Sequence, residues 1–296
     1  PFEGHTPFTM RYRSLSLWPP LLGLFGTPAH AEIPAIPSPG MEDKRVILAQ
    51  PRPIRAHVLK ITAAPKLQFR MVLGKDPDGA GPAEATLTDP LELANSPNVR
   101  AFINVNPWQG MPDASGKRDS RWRAGQAVDI LGLALTANSV RSAAVEYPNA
   151  AVRFTADGTV QFGNAQEGRV YTDGLNGFSP VTQGGKALTI ADPAIHPRTT
   201  LGSDQNGTTV WWVVVDGRQK GFSEGMTLTE LGKLMHELGC WNAVNLDGGG
   251  SSVLGIADSM GKLQVVNSPS DRRGTQVKIR PLPCILTLCA QPEGVP

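Results

Sequence analysis

The sequence predicts an α+β fold: mixed twisted β-sheets with a few flanking helices, forming a single domain behind a leader. Three observations lead there. The 296 residues include 32 glycines and 26 prolines, which punctuate the chain into many turns and therefore many short strands. Apolar and polar residues alternate in short runs such as "HVLKITA" and "LQFRMVLG", the period of half-buried strands. One capped helical pattern lies between two apolar strands in residues 210–247. A hydrophobic share of 40% and a charged share of 18% suit a packed globular core.

Met10 is a plausible start, followed by the positive Arg11 and Arg13 and the short apolar run "SLWPPLLGLF". Ala29-His30-Ala31 then fits the small-x-small cleavage rule, so a signal peptide is expected from Met10 to Ala31, with export to the periplasm or the extracellular space. The run is too short to cross a bilayer and holds two prolines, and no later stretch reaches spanning length, so the mature chain should have no membrane span. Residues 32–56, with "EIPAIPSPG", read as an irregular linker, 57–283 as the domain and 284–296 as a tail.

Within the domain, "TDPLELANSPN" is expected to form a short helix with Asp89 as cap and Pro90 in its first turn. The strand "RAFINV" then delivers "NVNPWQG" to a strand end. Short strands follow at "DILGLAL", "AAVRFTADGTVQFG" and "LTIAD", with Asp157-Gly158 as a hairpin turn. The apolar strand Val210–Val215 ends in Asp216-Gly217. A helix starts at Thr227, whose hydroxyl can pair with Glu230 in a capping box. Leu228, Leu231, Leu234, Met235 and Leu238 give it one apolar face, and Gly239 ends it. The strand "WNAVNL" completes a unit resembling a crossover, whose strands are either parallel neighbours or spaced by another strand.

The formal net charge of +2 gives no basic footprint for nucleic acid. Cys240 reads as a buried apolar position, while Cys284 and Cys289 in "PCILTLC" are candidates for a small disulfide loop in an exported protein. Cys and His show no metal-ligand spacing, so no zinc site or other cofactor is expected, although carboxylates and asparagines leave room for a single calcium ion.

The stretch "AVNLDGGGSS", residues 243–252, carries the chemistry. Three successive glycines cost conformational entropy, so they call for positive φ angles or for close approach by another group. Bare amides there would form a concavity for an anion such as phosphate. The stretch lacks the lysine of a Walker loop and the spacing of a dinucleotide loop, and a structural turn with an Asp cap is the plain alternative.

Six segments together, "AFINVNPW" (101–108), "DGLNGFSPVTQGGK" (173–186), "HPRTTLG" (196–202), "VVVDGRQKGFSEGMTL" (213–228), "NAVNLDGGGSS" (242–252) and "NSPSDRRGTQVKI" (267–279), resemble the phosphodiester glycosidase family. Where many members carry an Asn-Gly-Phe-Phe type segment, this chain reads Asn104-Val105-Asn106-Pro107-Trp108, similar to a bacterial variant.

The resemblance implies a hydrolase that cleaves the glycosyl–phosphate bond of sugar-1-phosphodiesters with an N-acetylglucosamine-like sugar. Arg198 would then grip two phosphate oxygens, and His196 would donate to phosphate or orient a partner. Asp247 would face the anomeric carbon as nucleophile or as base for water. The amides of Gly248, Gly249 and Gly250, with Ser251 and Ser252, would line phosphate or sugar hydroxyls. Asn104, Asn106 and Asn245 suit a sugar, and Trp108 sits where it would stack on one. Asp216 is either a hairpin residue or a second acid of the site, and Asp271 is placed with it. The strand ends at Asn104, Arg198 and Asp247 should converge on one cleft. Two further readings remain: a non-catalytic module binding phosphorylated glycans, and a phosphodiesterase cleaving the phosphorus–oxygen bond, a chemistry that usually recruits paired metal ions.

Overall fold

The computed structural model describes residues 40–63, 67–79, 81–119, 121–143, 148–273 and 275–291. The expected signal peptide and the first residues of the expected linker lie outside the described residues.

The longest apolar strand organises the molecule. Thr209–Val215 is buried on both faces, as a continuous "VWWVVV" run requires. Its Val210, Trp212 and Val214 join Leu59, Leu201, Phe69, Phe154 and Leu286 in the main core. Its Trp211, Val213 and Val215 face the other way, onto Leu231, Leu234 and Met235 of the main helix. Burial of each such side chain contributes about 1.5–3 kcal/mol.

This strand is third in a seven-stranded sheet ordered Met41–Leu48, Ile54–Thr62, Thr209–Val215, Arg198–Ser203, Asn242–Asn245, Ser179–Gln183 and Lys186–Ala187, antiparallel throughout. A five-stranded sheet packs across the main core in the order Leu263–Val265, Leu254–Ala257, Val99–Asn104, Cys284–Ala290 and Leu67–Leu73. A second five-stranded sheet, from Ala134–Thr136 to Asp173–Asn176, adds Val152, Phe154 and Leu175 to the same core. A small sheet pairs Ala85–Thr86, Ala127–Ile130 and Trp108–Gly110.

The helix expected at Thr227 spans Leu228–Glu237 with its capping box complete, and Gly239 takes φ +98° just beyond it. The other α-helix, Pro90–Leu93, has Asp89 as its cap. Among the described residues these are the α-helices, so the molecule is mainly β where a mixed α+β fold was expected. Antiparallel pairing explains the difference, because such neighbours can be joined by tight turns without helical crossovers. The one crossover is real but spaced: Thr209–Val215 and Asn242–Asn245 both run antiparallel to Arg198–Ser203, which lies between them.

Three expectations are corrected. Residues 41–48 of the expected linker form an edge strand in full register with Ile54–Thr62, its Val46 and Leu48 buried and Glu42 to Arg45 exposed. Four successive charged residues hide its pattern, and such charges are what an edge tolerates. "LTIAD" contributes no strand beyond the preceding Lys186–Ala187. The expected tail holds an interior strand, Cys284–Ala290, paired on both sides. Its two cysteines are five positions apart along one extended strand, so their Cα atoms are ~17 Å apart where a disulfide needs less than about 7 Å. All three cysteines are free.

Candidate active site

Asp247 stands where one sheet hands the chain to the other. The Leu246 amide donates to Thr199 O at 2.8 Å, prolonging the first sheet, and the Asp247 amide donates to Val105 O at 2.8 Å, joining the second. Asn104 locks this junction: its Nδ2 donates to Asp247 O at 2.6 Å, while its Oδ1 accepts from Thr199 Oγ1 at 2.8 Å and Val253 N at 3.0 Å.

A two-lobed cleft opens over this junction. The first lobe, about 240 Å³, is lined by His196, Arg198, Arg218, Asn245 and Gly248–Gly250, with Phe178 at its edge. The second, about 360 Å³, is lined by Trp108, Gln109, Arg118, Asp119 and Trp122. Asp247 and Arg280 belong to both. Burial pushes the Asp247 carboxyl up to about 6, against the opposing pull of the Ser251 hydroxyl, the Arg280 charge and the Gly248 amide. The Gly248 N–H donates to Asp247 Oδ1 at 3.0 Å. The Ser252 hydroxyl and Asn245 Oδ1 are buried without a hydrogen-bond partner, a cost that a bound polar ligand would relieve at Asn245, which lines the lobe.

The glycines serve close approach more than bare amides. Gly249 takes φ +62°, and a Cβ there would press on the Arg218 guanidinium. A Cβ on Gly250 would overlap Arg280 and Asp271, and one on Gly248 would lie 2.8 Å from Pro197 O. The amides of Gly248 and Gly249 are spent on Asp247 Oδ1 and Pro197 O, so the expected cradle of three free N–H groups is not what this loop presents. What comes close to the backbone is a pair of arginines.

Arg218 follows Asp216-Gly217 and holds φ +58°, a left-handed backbone rare for a side chain of its size. Its Nη2 lies 3.4 Å from His196 Nδ1. Burial, then the charges of Arg198 and Arg218, hold the His196 imidazole below its usual range, with Asp192 opposing, so the ring is neutral near pH 7. Arg198 is buried, with Nε donating to Met226 O at 3.0 Å and Nη2 to Ala194 O at 2.8 Å. Burial lowers its pKa, as does Arg218, while Asp192 opposes. Arg198 thus both lines the lobe and ties two loops together.

The structure brings Asp247, Arg198, His196, Asn245 and the three glycines together, with Ser251 beside them. Trp108 lines the second lobe, while Asn104, Asn106, Asp216, Ser252 and Asp271 stand behind the wall. Asp216 is fully buried away from the cleft, accepting from Asn267 Nδ2 at 3.2 Å and Ser268 N at 2.8 Å, with His57 Nε2 at 3.2 Å. It braces the turn that presents Arg218, and is not a second acid in the cleft. Asp271 holds Arg280 through Nε at 3.0 Å and Nη2 at 3.3 Å. Asn106 donates to Leu131 O and Leu133 O and accepts from Asn176 N, so like Asn104 it is occupied in stitching loops. Ser252 lies buried and, through its carbonyl, receives Asn267 Nδ2.

Sequence reasoning missed Arg218, Arg280, Trp122, Gln109, Arg118 and Asp119. Arg218 was visible as the residue after a strand-ending Asp-Gly. Arg280 had no local signal, because its place depends on Asp271 and on the missing side chain of Gly250. Among the described residues no three His, Cys, Asp or Glu side chains gather as metal ligands.

A β-rich scaffold with a half-buried carboxylate, Asp247, beside clustered arginines points to a class that sequence comparison identifies. Residues 123–287, more than half of the chain, match the family model described as phosphodiester glycosidase, so the chain belongs to that family of enzymes. Among solved structures it is similar to the catalytic domain of zebrafish N-acetylglucosamine-1-phosphodiester alpha-N-acetylglucosaminidase, auto-inhibited by its pro-peptide: TM-score 0.60, 18% identity, 87% of this chain and 85% of that one. It is also similar to a hypothetical protein from Synechocystis, with TM-score 0.57 and 13% identity over 85% of this chain and 62% of that one. At these identities the likeness is one of fold. No curated protein matches the sequence.

Proposed function

We propose that this hydrolase cleaves the bond between the anomeric carbon and the phosphate of sugar-1-phosphodiesters, with an N-acetylglucosamine-like sugar, and that the arginine lobe receives the phosphate. The observation that carries the reading is that Asp247 lines one lobe together with Arg198, Arg218 and Arg280. Among the described residues no carboxylate lies within ion-pair distance of Arg198 or Arg218, so the lobe has positive charge to offer an anion.

The chemistry follows from the charges. The ionised Asp247 attacks the anomeric carbon, or takes a proton from the water that does, as the carbon–oxygen bond breaks and its electron pair leaves on phosphate. The departing group is a phosphate monoester whose second pKa is about 6, so it leaves near neutral pH with little help from a general acid. Arg218 and Arg280 stabilise the growing charge, and Arg198 adds its field while holding the lobe together. Neutral His196 is available to hydrogen-bond a phosphate oxygen. The leader Met10–Ala31 supports export, and N-terminal sequencing of the mature protein tests it: a start at Glu32 is expected.

The test of the reaction is turnover of an α-N-acetylglucosaminyl phosphodiester in ¹⁸O water. Label on the released sugar supports carbon–oxygen cleavage. Label on phosphate overturns it and makes the enzyme a phosphodiesterase.

A further inference from the structure

The second lobe differs from the first in chemistry as well as place. Two indoles, Trp108 and Trp122, contribute to its wall, and its volume falls in the range of small-molecule sites while the arginine lobe is smaller. Apart from the shared Asp247, its ionic groups are already matched, Arg280 by Asp271. Arg118 donates to Gly110 O at 2.9 Å and lies 3.4 Å from Asp129, and Asp119 is held by Arg121 at 3.1 Å. Gln109 is fixed by donating Nε2 to Asp129 at 2.8 Å. Trp122 is fixed too, with Lys278 Nζ 4.3 Å and Arg280 Cζ 5.3 Å from its ring centroid. Trp108 Nε1 is buried and has no hydrogen-bond partner.

Matched charges, fixed amides and aromatic surface suit a neutral, hydroxylated ring rather than an anion. The C–H faces of a pyranose pack on indole, and its hydroxyls meet donors and acceptors of both kinds. Asp247 and Arg280, shared by the two lobes, then sit where the sugar joins the phosphate. We infer that the second lobe is the subsite for the sugar, that it takes an uncharged pyranose against Trp108 and Trp122, and that it is a separate site from the one that holds phosphate. This inference rests on the reaction proposed above for its orientation, and on the lobe's own lining for its ligand class.

The test is NMR of the indole N–H signals of the full chain, assigned by Trp→Phe substitutions, during titration with free N-acetylglucosamine and then with inorganic phosphate. The Trp108 and Trp122 signals are expected to move with the sugar and to keep their sugar-bound positions when phosphate is added, because both ligands fit at once. Displacement of the sugar by phosphate, or indole signals that stay still at high sugar concentration, overturns the inference. In kinetics, Trp108→Ala should raise the KM for the diester about tenfold, the scale of a lost aromatic contact, and leave inhibition by inorganic phosphate within about twofold. Weakened phosphate inhibition with unchanged KM would count against it. Indole shifts without turnover of any sugar phosphodiester would leave the subsite standing and remove the reaction. Turnover with unmoved indoles would do the reverse.

Discussion

Asp247 is held in a state that costs stability. An ordinary Asp titrates near 3.8 and this one is pushed up to about 6. Between those values the folded protein binds the proton more tightly than the unfolded chain, so stability declines as pH rises through that window and stays lower above it. The loss is about 3 kcal/mol by the usual conversion. Asp247→Asn should therefore abolish turnover and raise the melting temperature by several degrees at pH 8, with less gain at pH 4, as thermal melts at the two pH values would show. Turnover of the native enzyme should climb through about pH 6 as the carboxylate ionises, and Arg280→Gln should move that limb to higher pH, because Arg280 favours the charged form. Arg218→Ala should lower kcat/KM by about 10²–10³, the scale of one lost charge-stabilising donor. Asp247 was legible because glycines and serines surround it in sequence. Arg280 was not, since its partner Asp271 and its neighbour Gly250 meet it only in the folded chain.

At the level of elements, local signals were the readable ones. The helix Leu228–Glu237 announces its start, its face and its end within a dozen residues, and the structure agrees at each. Thr227→Ala should cost about 1 kcal/mol of stability in a denaturant titration and leave KM unchanged, because the cap acts on the helix start alone. The glycine turn is local in sequence but not in its reasons. Gly250→Ala should leave a folded protein with activity as low as Arg280→Ala, since the added methyl group displaces the Arg280–Asp271 pair. Circular dichroism and kcat on the same samples would check both halves of that expectation. Strands that failed to show themselves did so for opposite reasons. Met41–Leu48 is too charged to look like a strand, because only its ends are buried, whereas Cys284–Ala290 is apolar but for Thr287 and its two cysteines read as a disulfide-closed tail.

For the whole molecule, stability comes from a main core to which four sheets contribute and a second apolar layer under the main helix, with no covalent cross-link among the described cysteines. A reducing agent should leave the melting curve in place. Removing residues after Pro283 should prevent folding, as loss of near-UV dichroism would show, because Ile285, Leu286 and Leu288 are wholly buried. The sequence made a β-rich domain legible through its turns and alternation, whereas sheet order, set by pairings hundreds of residues apart, has no local trace. Thr287 Oγ1, for example, donates to Arg70 O across 217 positions. That strand lies between Leu67–Leu73 and Val99–Asn104, yet a ribosome makes it after every other strand of its sheet. Until that strand is made, Leu67–Leu73 and Val99–Asn104 lack the partner that lies between them, and the Asn104 that holds the Asp247 carbonyl belongs to an incomplete sheet. The growing chain can neither close its centre nor begin its chemistry, and a domain with such distant pairings assembles slowly even once complete.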